Sequence, residues 1–261
     1  MTTERLPTLF VSHGAPLFAV EPGETGPALR QWAQRLPSDL RGVVVMSPHW
    51  MARNPAVMTN QAPATWHDFG GFPAALYELQ YAAPGSAALG QEVLALLSDA
   101  GISAHADEKR PMDHGTWVPL MHLFPQDNIP VLQVALPASY GPREVFAMGA
   151  VLQSLRSQGV LVIGSGSMTH NLSEFSGGNL PAAPYVTAFA RWIESRLEAG
   201  DVEALLNYRS LAPSAARAHP TEDHFLPLFF ALGAAGPDFK PVYLSREVMY
   251  GMLAMDAFAL N

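Results

Sequence analysis

Nine histidines and no cysteine set the terms for any demanding chemistry in this chain of 261 residues. Three of the histidines hold equivalent positions. Ser12-His13-Gly14-Ala15-Pro16 follows the apolar run 8–11, Ser47-Pro48-His49-Trp50 follows the run 43–46, and Gly164-Ser165-Gly166-Ser167-Met168-Thr169-His170-Asn171 follows the run 160–163. A neutral imidazole ligates Zn(II) or non-haem Fe(II), and near neutral pH it also serves as a general base. The lack of cysteine excludes a disulfide framework, a thiolate zinc site, a thiolate-held iron–sulfur cluster and a cysteine nucleophile. Two other chemistries lose ground on spacing. Gly164-Ser165-Gly166 has Thr169 where a dinucleotide fingerprint needs its third glycine, and residues 164–168 carry Gly in the middle and Met at the end of what would be Gly-x-Ser-x-Gly.

The remaining histidines differ in their local company. His67 lies in Trp66-His67-Asp68-Phe69-Gly70-Gly71-Phe72-Pro73, and His114 in Asp113-His114-Gly115-Thr116-Trp117, at the start of a helix. His224 lies in His219-Pro220-Thr221-Glu222-Asp223-His224-Phe225, ahead of an apolar helix over 226–232. Thr221 is expected to cap that helix, with Glu222 and Asp223 at its positive end. His224, in its first turn, is placed to face a crevice. His219 and His105 read as surface residues, and His122, among Leu120, Met121, Leu123 and Phe124, as a packed core residue.

The elements that must position these groups follow from apolar patterning. Runs 8–11, 43–46, 131–135 and 160–163 are nearly continuous in apolar residues, as strands buried on both faces are. Helical period appears over 87–97 behind Ser86 as N-cap, over 142–156 between Pro142 and Gly159, and over 185–197. Residues 247–259 fit a strand or a helix equally. The alternation predicts an α/β fold: one domain over 1–261, a largely parallel central sheet, and helices on both faces. Ligands in such sheets bind beyond the carboxyl ends of the strands, so histidines distant in sequence can converge there.

Composition narrows the partners. Hydrophobic residues make up 49% and charged residues 15%, enough apolar material for a large core. With 15 basic and 23 acidic side chains the net charge is −8. No basic cluster is present, so neither nucleic acid nor an anionic membrane surface is expected as a partner. No apolar run approaches the roughly 18 residues of a membrane span, and no leader peptide is recognised at the N-terminus; a cytoplasmic protein is expected.

Taken together in their order, the His13, His49, His67, His114, His170 and His224 blocks resemble the 4,5-DOPA dioxygenase-like branch of the class III extradiol ring-cleavage dioxygenases. His-Asp-Phe-Gly-Gly-Phe-Pro is the most specific block, and together they run from residue 12 to residue 225. The resemblance implies a non-haem metal held by His13, His49 and His224, with His170 as acid/base and His114 bonding a substrate or oxygen atom. It also places His67 near the pocket mouth, where Trp50 and Phe72, with Trp66, Phe69 and Trp117, offer flat apolar faces to a ring. The implied reaction consumes O2 and a DOPA-like or other small catechol. Fe(II) is expected for activity. Three neutral imidazoles are also a ligand set of catalytic zinc, so Zn(II) fits as the bound metal, and a zinc hydrolase or amidase, or a non-catalytic metal-binding protein, stands as the alternative. In a helix Glu222 would not share a face with His224, which leaves His224 the preferred ligand. No arginine lies within the blocks to bind a substrate carboxylate; Arg53 and Arg110 are the nearest. Oligomeric state is not indicated.

Overall fold

The four apolar runs form the middle of one sheet. In the computed structural model, which describes residues 5–178 and 180–261, the strands are β1 (Thr8–Ser12), β2 (Gly42–Ala52), β3 (Ala56–Met58), β4 (His105–Asp107), β5 (Val131–Pro137), β6 (Val160–Gly166), β7 (Pro241–Ser245), β8 (Val248–Met249), β9 (Leu253–Ala254) and β10 (Ala257–Leu260). The helices are α1 (Thr25–Ala33), α2 (Ala74–Tyr77), α3 (Ala87–Asp99), α4 (His114–Leu123), α5 (Pro142–Val151), α6 (Pro184–Glu198), α7 (Val202–Leu206), α8 (Tyr208–Leu211), α9 (Ala215–Ala218) and α10 (Pro227–Ala235). Eight strands form the main sheet in the order β4-β3-β5-β2-β6-β1-β10-β7. β5, β2, β6 and β1 are mutually parallel, with Val43 opposite Val131, Val44 opposite Val162 and Thr8 opposite Val162. β10 and β3 are antiparallel to their parallel neighbours β1 and β5.

Alternation along the central strands divides the core into two layers. Val44, Met46, Leu132, Val134, Val160 and Val162 pack against α3, α5, α6 and α10. Val43, Val45, Val131, Leu161 and Ile163 pack on the other face, against α1 and α4. Successive side chains of a strand point to opposite faces, so a run with no polar residue requires helices on both. This is the α/β fold expected from the sequence.

The helix over 87–97 is α3, and Ser86 Oγ accepts from the Leu89 amide at 3.2 Å as its cap. α5 begins at Pro142 and passes into a short 3-10 helix that Gly159 ends at φ 77°. One local expectation fails and one open reading is settled. Thr221 caps no helix, because α10 begins only at Pro227, whose fixed φ and missing N–H suit the first helical position. Residues 247–259 prove to be strands: β8 pairs β9, and β10 joins β1 and β7. No helix among the described residues is long and apolar enough to cross a membrane.

α10 is buried all round and lies against β6. The approach depends on Gly164, where a Cβ would stand 1.9 Å from the Pro227 carbonyl oxygen. Since backbone on both sides must give, Gly164→Ala is expected to cost about 1–3 kcal/mol, as overpacking does. Urea unfolding should show a lower midpoint at unchanged m-value.

Candidate metal centre

β1 and β6 deliver the first histidine. The Ser12 amide and hydroxyl both donate to the Asp256 carbonyl, at 3.1 and 2.9 Å, and the His13 amide donates to Gly166 O at 2.9 Å, so the residue leaving β1 is fixed by the strands beside it. His49 arrives differently from the turn expected after residue 46. β2 continues through Ala52 with a bulge between Ser47 and Met51, opposite Ala135 and Leu136 of β5. The bulge tolerates Pro48 within the strand and re-aims His49. His114 opens α4, and His224 lies in the turns before α10. Against His13 and His49 sits Gly115, where a Cβ would come 2.4 Å from Ser47 Oγ, 2.9 Å from His49 Cδ2 and 3.2 Å from His13 Cε1. Only a residue without a side chain lets the two rings meet there.

Four rings converge. His49 lies 5.1 Å from His13, 3.9 Å from His114 and 5.1 Å from His224 between ring centroids, and His13 lies 5.7 Å from His114 and 5.5 Å from His224. Donor atoms of His13, His49 and His114 all fall within 4.8 Å of one another. His224 stands beside that group with its ring stacked on His170, centroids 3.6 Å apart and planes 5° from parallel.

Hydrogen bonds fix the tautomers. The Ser165 hydroxyl donates its one proton to Gly115 O, so toward His13 Nδ1, 3.0 Å away, it can only accept. His13 therefore carries its proton on Nδ1 and offers a lone pair at Nε2. His114 Nδ1 donates to Asp68 Oδ1 at 2.9 Å, and His224 Nδ1 donates to Asp223 Oδ2 at 2.7 Å. His49 Nδ1 faces Asp68 Oδ2 at 3.8 Å. Three of the rings, His13, His114 and His224, thus hold Nδ1 to an outward oxygen by a hydrogen bond, and His49 turns its Nδ1 the same way at longer range, the outer-shell arrangement that orients metal-bound histidines. The Nε2 atoms of His13 and His49 lie 3.1 Å apart. Two nitrogens about 2.0–2.1 Å from one ion would be separated by roughly 2.9–3.4 Å, so the residues present fit a divalent metal.

The electrostatics favour ligation. Burial, then the neighbouring imidazoles, holds His13 well below its usual pKa, and burial leads the lowering at His49 and His224 as well. Neutral rings need no deprotonation before they bind a metal. Burial pushes the Asp68 carboxyl up, but the His114 hydrogen bond and charge outweigh it and leave it below the carboxylate range. Asp223 is likewise raised by burial and brought far lower by His224.

Other residues fall around this cluster. Among the described residues no group hydrogen-bonds the His170 ring; burial lowers its pKa, against the raising charge of Asp223. His67 Nε2 donates to Leu79 O at 3.0 Å and ties its loop; Phe69 and Trp117 each meet it edge-on at 5.7 Å. Phe72 meets Phe69 edge-on at 5.4 Å and lines a neighbouring apolar cleft. Trp50 is buried against the Arg110 guanidinium. Arg53 is exposed beyond the bulge. His105 is exposed and His122 buried, as expected, the latter donating through Nε2 to Phe18 O at 2.8 Å. His219 overturns its expectation as a surface residue. It is fully buried, its Nε2 donates to Met168 O at 2.9 Å, and burial pushes it down to about 3. Glu222 is occupied by the Tyr208 hydroxyl at 2.8 Å, consistent with the preference for His224 over it. Sequence reasoning assigned no role to Asp68 or Ser165, and treated Asp223 as a helix-end charge; the one available signal was an acid adjacent in sequence to a histidine in both 67–68 and 223–224.

A comparison with protein families decides what this cluster belongs to. Residues 7–258 match the family described as the catalytic LigB subunit of aromatic ring-opening dioxygenase. The chain belongs to the LigB family. It is 38% identical over 258 residues to a 4,5-DOPA dioxygenase extradiol of Beta vulgaris, covering 96% of this chain and 95% of the relative. Against a 4,5-DOPA dioxygenase extradiol of Escherichia coli strain K12 it is 35% identical over 239 residues, 90% of this chain and 87% of that one. The crystal structure of an uncharacterized protein from Escherichia coli K12 superposes with a TM-score of 0.80 at 28% identity, over 98% of this chain and all of the other. This LigB chain is therefore an aromatic ring-opening dioxygenase of the class III extradiol family, as the resemblance of its histidine blocks implied.

In this LigB site Arg110 joins three segments, those of His49, His114 and Asp68. Its Nη2 donates to His49 O at 3.1 Å and to Asp113 Oδ2 at 2.9 Å, and its guanidinium lies 4.9 Å from the ring centroids of both Trp50 and Trp66. Asp113, also bonded by Gln133 Nε2 at 2.7 Å, immediately precedes His114, and Trp66 lies two residues before Asp68. Removing the guanidinium loosens the bulge, the helix start and the carboxylate together. Arg110→Met is expected to weaken metal retention by roughly 10–100-fold, the range for outer-shell partners. Arg110→Lys should recover only part, since an ammonium cannot stack and bridge as a planar fork does. Competition against a chelator of known affinity measures both.

Proposed function

We propose that this chain opens the ring of a small catechol by extradiol cleavage, with His13, His49 and His224 holding Fe(II) and His170 and His114 acting on substrate and O2. The observation that carries this reading is the convergence of His13, His49, His114 and His224, with Nδ1 of His13, His114 and His224 hydrogen-bonded outward and the Nε2 atoms of His13 and His49 turned toward each other. The relatives named 4,5-DOPA dioxygenase extradiol support a catechol as the substrate class. The carbon–carbon bond between a hydroxyl-bearing ring carbon and its unsubstituted neighbour breaks. Both O2 atoms enter the product, which carries an aldehyde at one end and a carboxylate at the other.

Each residue has a definable task. His170, neutral and with no hydrogen-bond partner on its ring among the described residues, accepts the proton that a catechol hydroxyl sheds on binding. The parallel His224 ring keeps it in one plane. His114, oriented by Asp68, donates through Nε2, when that atom carries a proton, to an oxygen as the ring opens. The His114 amide also donates to Asp68 Oδ1, at 2.9 Å, so ring and backbone are held by one atom. Bound Fe(II) would supply adjacent positions for both catechol oxygens and for O2, with the redox capacity that Zn(II) lacks. Zn(II) fits the same imidazoles, and the zinc form is expected to be inert toward O2. Neither the hydrolase nor the non-catalytic alternative gains support from family membership.

Oxygen uptake by anaerobically prepared, Fe(II)-loaded protein tests the proposal. With a panel of catechols, uptake of one O2 per substrate and a new visible absorbance are expected, both missing from a Zn(II)-loaded sample. Protein shown to hold iron that consumes no O2 with any catechol would refute it.

A further inference from the structure

A cleft of about 190 Å³ is walled in part by segments that also carry histidines, and it bears on which catechol is taken. Its walls include Ala15, Phe72, Leu172, Phe175, Tyr250 and Met252, and no charged side chain lines it. The walls belong to the segments that carry the site. Ala15 and Leu172 each lie two residues beyond His13 and His170, and Phe72 leans on Phe69, whose ring meets His114 edge-on at 5.6 Å. We propose that this cleft receives the ring substituent of the substrate, and that the preferred catechol carries an uncharged alkyl or aryl tail instead of an amino-acid side chain. The inference rests on the catechol-opening reading above.

Three observations support it. Leu172 and Phe175 are 64% and 53% exposed at the mouth of the cleft. Contiguous uncovered apolar surface on a folded chain marks a place that something apolar covers. Continuity with the histidine segments makes that occupant the tail of the molecule bound there. Charge gives the second observation. Glu174, next to Phe175 in sequence, is committed to Arg217 through Nε–Oε1 at 2.7 Å and Nη2–Oε2 at 3.0 Å, and that guanidinium covers the Tyr185 ring at 4.3 Å. Neither member of that pair is free for an ammonium or a carboxylate. With no basic side chain among the walls, the carboxylate of a zwitterionic tail entering the cleft would leave water without a counter-charge, which is costly. Size is the third. The volume corresponds to about six waters at roughly 30 Å³ each, room for a short alkyl chain or one ring.

The test uses four catechols of similar tail length: 4-propylcatechol, 3,4-dihydroxyphenylpropanoate, 3,4-dihydroxyphenethylamine and 3,4-dihydroxyphenylalanine. For Fe(II)-loaded enzyme, kcat/KM from oxygen uptake and Kd from anaerobic titration, where no turnover occurs, are both measured. The propyl compound is expected to lead each charged compound by about tenfold or more in both quantities, the scale on which apolar pockets discriminate. Phe175→Lys places a cation at the mouth without disturbing the core, and should shift the ratio of the propanoate to the propyl compound by at least about fivefold toward the anion. Leu211→Lys, at a 55% exposed position elsewhere, should leave that ratio unchanged. Equal or better use of the amino-acid substrate, or an unchanged ratio in Phe175→Lys, overturns the cleft assignment while ring opening stands. Failure of all four to consume O2 overturns both.

Discussion

Replacing His224 by alanine is expected to cost more than about 100-fold in metal affinity, exceeding the 10–100-fold typical of outer-shell losses, while His114→Ala keeps the ion and loses turnover. The contrast matters because two imidazoles compete for the third ligand position. His13 and His49 belong to either arrangement, with Nε2 atoms 3.1 Å apart. His114 shares the Asp68 carboxylate with His49, and the two rings stand 3.9 Å apart on the same flank. His224 comes from the turns before α10, meets His49 nearly at right angles (79°), and brings its own acceptor, Asp223. An ion held by His13, His49 and His224 is enclosed from separate chain segments and leaves His114 free to face substrate. Chelator competition on the two alanine variants, with oxygen uptake on whichever retains iron, decides the matter. If His114→Ala loses the ion and His224→Ala keeps it, His114 is the ligand and the roles exchange.

The sequence made the central strands legible because burial on both faces leaves an unbroken apolar run, as in Val43-Val44-Val45-Met46. The edges were not legible. β3, β4, β8 and β9 have only two or three residues each, and β7 opens on a proline and is largely half-exposed, so none has a periodicity to read. Topology, with parallel strands presenting their carboxyl ends on one edge, made His13 and His170 legible at the ends of β1 and β6; His49 comes from within β2, and His114 and His224 from a helix start and a turn. The groups that orient the rings were hidden because their contacts are long-range. Ser165 is 152 residues from His13, and Asp68 is 46 from His114. His219 was misread for the same reason, its partner Met168 O lying 51 residues away. The bulge that aims His49 was also invisible, because it exists only relative to β5.

Turnover by a His170→Ala variant is expected to fall about 10²–10⁴-fold in kcat, the usual share of a positioned acid/base, with the metal retained. His170 differs from the four clustered histidines in one respect: their Nδ1 atoms face oxygens of Ser165 or a carboxylate, whereas its ring has no hydrogen-bond partner among the described residues. A ring so placed is available to a substrate proton, and burial keeps it neutral at pH 7. It also stacks flat on His224 at 3.6 Å, so alanine removes a support for the proposed ligand His224 as well as the proposed base. His170→Phe separates the two effects, because it restores a flat ring against His224 and cannot take a proton. Both variants should show the same loss of kcat, while metal affinity drops by up to about tenfold in the alanine variant alone, within the range for outer-shell contacts. Iron content and chelator competition measure the second quantity, and oxygen uptake at saturating catechol the first. A phenylalanine variant that turns over at the wild-type rate would reduce His170 to a support for His224 and move the base to another group.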